Sequence, residues 1–191
     1  MSGSGAVRST VYRDRAAWQV PVAVLVAALA VAALGPVPAT VPAIYLAAVA
    51  PELTRVDLRE HRLPNRMVIP GIVVGLAAAA LSWLATGTPP LVPLAASLAF
   101  ALLLFLLGLG GGIGMGDVKL AAVIGLASPT IAVATAAPVL AFLAGGVVAT
   151  VVLIARGRGQ RIAFGPFLLA GYVAALAVVL VLTVAVTRIG R

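Results

Sequence analysis

The sequence predicts an all-α, polytopic membrane helix bundle. Three observations carry that reading. Apolar residues make up 63% of the 191 and charged residues 9%, against about 45–50% and about 25% in an ordinary soluble domain. A chain of this length cannot hide so much apolar surface inside a water-soluble globule. The apolar residues fall in long runs, near the roughly 20 residues that a helix needs to cross a bilayer. Lys and Arg cluster between those runs. Lipid-facing backbone must satisfy its own hydrogen bonds, so helices are the default, and no alternating strand pattern argues for a barrel.

Seven helices are expected, near 17–35, 38–54, 67–87, 89–109, 117–128, 130–155 and 164–187. The first follows Arg8, Arg13 and Arg15 and runs to Gly35 without a convincing cleavage site. It reads as a retained span rather than a signal peptide, with residues 1–16 a cytoplasmic tail and 17–191 the membrane domain. The second is short and holds Pro42 and Pro51. The first, third, fourth, sixth and seventh are clear. The fifth is about half a span, and reads as tilted or partly re-entrant. The turns Gly35-Pro36-Val37-Pro38, Thr86-Gly87-Thr88-Pro89-Pro90 and Ser128-Pro129-Thr130 are uncharged stops and starts.

Sidedness follows from charge. With the N-terminus inside, Arg8, Arg13, Arg15, Arg55, Arg59, Arg62, Arg66, Lys119, Arg156, Arg158 and Arg161 are cytoplasmic, and only Arg188 and Arg191 lie outside. Six crossings, the alternative, would move Arg156, Arg158 and Arg161 out, so the bias favours seven. The net charge of +8 thus belongs to membrane-flanking loops, and no nucleic-acid partner is expected. The oligomeric state is not legible. Gly71 and Gly75 stand four apart, as do Gly112 and Gly116, a spacing that lets helices approach closely. For the first pair we read the spacing as a by-product of composition.

Chemistry is restricted. With no cysteine, disulfides, thiolate catalysis and Cys-ligated zinc are excluded. One histidine, His61, makes a His-rich metal site implausible, and it reads as a solvated loop residue. No metal or cofactor is expected. There are five acids. Asp14, between two arginines, reads as a solvated tail residue. Glu52 is placed to pair with Arg55 or Arg59, and Glu60 shares that loop.

Asp57 and Asp117 remain. Asp57 is expected three residues beyond the second span, and a structural reading pairs it with Arg59 or Arg62. Pro64-Asn65 is a turn signal, with Asn65 a candidate helix cap. Asp117 ends a run, Gly108 to Gly116, holding six glycines in nine residues. Such a run makes a poor lipid-embedded helix and suits a loop lining a wet cavity. Asp117 is itself a candidate N-cap. The run is no phosphate loop, lacking the Gly-Lys-Ser/Thr ending. In the seven-span arrangement both aspartates reach the cytoplasmic membrane boundary, 60 residues apart in sequence. Ionisable groups near lipid are costly and point to function. Two carboxylates brought together there would titrate jointly. One would take a proton from water while the other donates to a peptide carbonyl, which is aspartic proteolysis.

These residues resemble the type IV prepilin peptidases, a family of intramembrane aspartic proteases. Asp57-Leu58-Arg59 with Leu63-Pro64-Asn65 is similar to the family's Asp followed by an Ile-Pro-Asn turn. Gly114-Met115-Gly116-Asp117-Val118-Lys119-Leu120 is similar to its Gly-x-Gly-Asp motif and Val-Lys-Leu continuation. Ala163-Phe164-Gly165-Pro166-Phe167-Leu168 is similar to a late Phe-Gly-Pro-Phe segment. The resemblance spans about residues 40–180. It implies a catalytic pair, Asp57 and Asp117, acting on prepilin or pseudopilin precursors whose basic leader stays in the cytoplasm and whose stem helix lies in the bilayer. It also implies the prokaryotic cytoplasmic (inner) membrane as location. Glu52 and Glu60 would attract the leader. Longer members carry Cys-x-x-Cys motifs linked to methylation. With no cysteine here, the resemblance is to a short, peptidase-only form, and N-methyltransferase activity is not expected.

Several motif residues have two readings. Gly114 and Gly116 either let backbone approach substrate or serve loop geometry. Lys119 either tunes Asp117 or snorkels to headgroups; snorkelling is favoured. Phe164, Gly165 and Pro166 shape the seventh helix's start or touch substrate. Trp18 and Tyr172 read as interface anchors. Presenilin-like proteases share Gly-x-Gly-Asp but carry a Pro-Ala-Leu motif absent here. The rival from another class is a small proton- or cation-coupled transporter using the two aspartates as ion sites. A non-catalytic assembly factor is a third.

Overall fold

A computed structural model describes the backbone of residues 4–110, 113–156 and 163–190, and the side chains of 18–110, 113–155 and 163–190. Gly111, Gly112, Arg158, Arg161 and Arg191 lie outside the described residues, as do the side chains of Arg8, Arg13, Asp14, Arg15 and Arg156. Among the described residues are seven α-helices and no strand: α1 Ser4–Leu34, α2 Val41–Glu60, α3 Asn65–Thr86, α4 Leu91–Leu109, α5 Met115–Leu126, α6 Ile131–Arg156 and α7 Gly165–Ile189. The segments Asn65–Thr86, Leu91–Leu109, Ile131–Ala155 and Gly165–Ile189 are each long and apolar enough to cross a membrane. The chain is a polytopic membrane helix bundle.

Two boundaries differ from the sequence reading. α1 starts at Ser4, well before residue 17, and α2 continues to Glu60, so Asp57 sits on its last turn rather than in a loop. The reason is common to both. Apolar runs mark where a helix meets lipid, and a helix whose backbone bonds are already propagating continues past that point. α2 stops where His61 adopts a left-handed conformation (φ 50°) and donates its N–H to the Asp57 carbonyl at 2.9 Å. Left-handed Gly35 and Gly87 end α1 and α3 at the predicted turns, as C′ glycines do.

The helices alternate in direction. One groove is lined by residues from both Leu91–Leu103 of α4 and Ile131–Pro138 of α6, so these helices start at the same end. A second is lined by Pro38, Pro42, Thr86, Pro90, Leu126 and Pro129, which gathers the α1–α2, α3–α4 and α5–α6 turns at that end. The α2–α3 turn, the start of α5 and the start of α7 meet at the opposite end, called the site end below.

Short α5 forms the centre. Twelve residues rise about 18 Å, less than the roughly 30 Å hydrocarbon core. Such a helix would leave polar termini in lipid if it stood alone. Instead it packs against α2, α3, α4 and α7, with Leu120, Ala121, Val123, Ile124 and Leu126 almost fully buried. Small residues make this possible. A Cβ on Gly125 would lie 2.3 Å from the Ser97 backbone of α4. A Cβ on Gly71 would lie 2.9 Å from Val123, and one on Gly75 2.7 Å from Leu126. The Gly71/Gly75 pair is therefore a contact surface for α5, not a by-product of composition. Tyr172 is likewise no interface anchor. It is 1% exposed and donates its hydroxyl to the Ala127 carbonyl at 2.7 Å, tying α7 to the end of α5.

Candidate active site

Both aspartates line one cavity of about 290 Å³ at the site end, together with His61, Arg62, Leu63, Asn65, Gly114, Met115, Gly116 and Lys119. α2 delivers Asp57 on its last turn, and α5 delivers Asp117 on its first. The intervening α2–α3 turn is pressed onto α5. Leu63 is so close to Gly116 that a Cβ there would lie 2.9 Å from the Leu63 Cβ. Gly116 is thus required by packing. At Gly114 a Cβ would meet Asp117 Oδ2 at 3.6 Å, an ordinary contact.

Each aspartate is held by main-chain amides. Gly165 N–H donates to Asp57 Oδ2 at 3.0 Å in a buried bond. Gly114 N–H donates to Asp117 Oδ2 at 3.3 Å. Asp117 is therefore not the N-cap expected from sequence. Gly114 occupies that position, and Asp117 reaches back from the third helical residue, as the acid of a capping box does. Asn65 is not a cap either, since Pro64 precedes α3 and Asn65 is its first residue. No ion pair joins Asp57 to Arg59 or Arg62 among the described residues; the pair present is Glu52 with Arg55, one of the two partners expected. Glu52 also accepts from Gln19 at 3.0 Å, so its carboxylate is engaged within the bundle.

Lys119 neither bonds Asp117 nor snorkels free. Its Nζ donates to Asn65 Oδ1 at 2.9 Å, clasping α5 to α3 at the cavity rim. Sequence reading missed this pair because nothing local links residues 54 apart. His61 is exposed but borders the cavity as the left-handed stop of α2. Phe164 packs between Phe142 and Phe167, with centroids at 5.5 and 6.3 Å, and its ring fills the space over Gly145. Pro166 is the second residue of α7, where its missing N–H costs nothing. Together they fix where Gly165 presents its amide.

The electrostatics follow from burial. Asp57 is 4% exposed and Asp117 9%, and both lie outside the four long apolar spans. Burial raises the Asp57 carboxyl above its usual range, with the Gly165 amide and nearby His61 acting in the opposite sense. Burial first, and the charge of Asp57 second, push Asp117 to about 6, against the Gly114 amide. Asp117 Oδ1 is buried with no hydrogen-bond partner. Helices α3, α5 and α7 all begin at this end, and helix starts favour negative charge. No three His, Asp or Glu residues cluster as metal ligands among the described residues.

Fold and site define a class: a polytopic helical membrane protein with two buried aspartates in one cavity at the end of its bundle. Within that class the chain belongs to the type IV leader peptidase family, whose model matches residues 44–155. The match includes Asp57 and Asp117 and ends before Gly165. No curated protein and no solved structure matches the chain. Family membership gives it a leader peptidase role in general.

Proposed function

We propose that the chain is an aspartic endopeptidase that removes the basic leader from prepilin or pseudopilin precursors, with Asp57 and Asp117 as its catalytic pair. The observation that carries the reading is the shared cavity: two acids 60 residues apart border the same small, partly polar space. Two such carboxylates can hold one proton between them, which lets one act as base and the other as acid. The site end is cytoplasmic, and the protein resides in the inner membrane of a prokaryote with its N-terminus inside. Supporting that orientation, Arg59, Arg62, Arg66 and Lys119 all cluster at the site end, as the positive-inside rule requires. A substrate whose stem helix spans the bilayer and whose leader lies in water would present its scissile bond at this depth. Residues 17–191 form the peptidase domain.

A carrier built on the same two acids would place them near mid-membrane, between structural repeats. Here they border a cavity at one end of the bundle. The test is co-expression with a prepilin from the same genome, read as a gel shift on leader loss. The intact chain cleaves; Asp57→Asn and Asp117→Asn do not. Normal processing by either single variant overturns the assignment.

A further inference from the structure

The two aspartates are not equivalent, and the difference is geometric. Asp57 receives a buried 3.0 Å hydrogen bond from the first main-chain amide of the 25-residue helix α7. Asp117 receives a longer bond, 3.3 Å, on Oδ2 alone, and its Oδ1 is buried without a donor. The nearest cation on its own helix, Lys119, is held by Asn65. A buried carboxylate oxygen given no protein donor is costly when ionised. Adding a proton to that oxygen removes most of the cost and supplies a donor. Amides at helix starts favour the ionised form, and the shorter, buried bond does so more strongly at Asp57 than the longer, part-buried one does at Asp117.

On the proposed reading of the site, we infer that Asp117 carries the shared proton on Oδ1, that Asp57 is the ionised base, and that Gly165 is the positioning residue that sets this order. As the water oxygen bonds to the scissile carbonyl carbon, Asp57 takes one water proton and Asp117 gives its own to the carbonyl oxygen. The product is a neutral gem-diol. When the C–N bond breaks, Asp57 passes its proton to the leaving nitrogen, and Asp117 recovers one from a gem-diol hydroxyl. The pair returns to its starting state, with no oxidant, metal or further reactant in the balance.

The groups that face Asp117 are few. From the last turn of α2 it is Asp57, from the α2–α3 turn they are His61 and Arg62, and from α5 itself Lys119. Arg66 lies exposed on the first turn of α3. Among the described residues α4 has no charged side chain, and that of α7, Arg188, is at its far end.

Infrared difference spectra of the full chain in lipid nanodiscs, taken across a pH range centred near 6, test the assignment. The wild type shows a protonated-carboxyl stretch that fades as pH rises. Asp117→Asn removes that band and Asp57→Asn retains it. The opposite pattern overturns the inference, as does a band that survives or vanishes in both variants. Gly165→Ala supplies a second readout in a chain that keeps both acids. Its Cβ would lie 2.7 Å from Asp57 Oδ2, displacing the amide that favours the ionised form, so Asp57 holds a proton more readily and the band grows. An unchanged band removes Gly165 from the account. Cleavage assays on the same variants separate this inference from the reading beneath it. Both Asp→Asn chains inactive, with the band assigned to Asp57, would refute the order of roles and keep the dyad.

Discussion

The main-chain amide of Gly165 donates to Oδ2 of Asp57 across 108 residues of chain. The contact leaves no room for a side chain at residue 165, because a Cβ would stand 2.7 Å from Asp57 Oδ2 and 3.3 Å from both Asp57 Cγ and Leu63 Cδ2. The third motif thus reaches the site through its backbone, which no side-chain reading of Phe164-Gly165-Pro166 would reveal.

Gly165→Ala is expected to lower prepilin processing by on the order of 10- to 100-fold, since the new Cβ displaces the amide that holds the Asp57 carboxylate, a hydrogen bond to a charged group is worth about 1.5–3 kcal/mol, and each 1.4 kcal/mol is about tenfold in rate. Insertion and yield should stay near wild type. Full activity of this variant in a time-course cleavage assay would show that the contact is dispensable.

Stability should depend on pH through Asp117. Its carboxyl is raised from 3.8 to about 6, chiefly by burial and then by Asp57. Between those values the folded chain keeps a proton that the unfolded chain has released. The associated stability is complete below 3.8, declines as pH climbs, and is gone above about 6. It amounts to on the order of 2–3 kcal/mol. Thermal unfolding in detergent, followed from about pH 4 to about pH 7, should show Tm falling in the wild type. Asp117→Asn should flatten that slope, leaving what buried Asp57 contributes in the same direction, and an identical slope in both would contradict the assignment.

Asn65→Ala releases the Lys119 ammonium at the mouth of the cavity. A freed cation near two acids favours their ionised forms, so the alkaline limb of the pH–rate profile should move down and kcat should fall more than KM rises. Adding Lys119→Met to Asn65→Ala should restore much of the loss. A double variant as impaired as the sum of the singles would mean that the clasp acts only by holding α3 to α5.

Processing should survive chelators. The chain has no cysteine and one histidine, and two carboxylates that share a proton need no Lewis acid. Loss of cleavage on chelation with recovery on added zinc would overturn the aspartic mechanism.

Tyr172→Phe should cost about 1–2 kcal/mol of stability, by leaving the buried Ala127 carbonyl without its donor. Cleavage per folded molecule should be unchanged, because the bond lies at the end of α5 remote from the cavity. A lower Tm with a normal specific rate is the expected pair of results.

The acids, their motifs and the bundle class were legible because they rest on composition and short spacing. Asp57 and Asp117 stand out as two of five acids in an apolar chain, and the turn punctuation located Gly35 and Gly87. What sequence reading missed depends on packing. Gly71 and Gly75 look like the surrounding Ala/Gly background until Val123 and Leu126 press on them. Tyr172 looks like a belt residue until its hydroxyl is seen on Ala127. The polar ends of α1 and α2 are invisible to any apolar count. The half-length of α5 looked anomalous only while lipid, rather than four neighbouring helices, was taken as its surroundings.

The site draws on three separate stretches, and the last of them opens the final helix. A ribosome feeding this chain into the bilayer releases Asp57 first, Asp117 later and Gly165 last. Until α7 docks, the aspartate on α2 lacks its amide. On the proposed reading of the site, its last polar contact is therefore made only when the closing helix is in place.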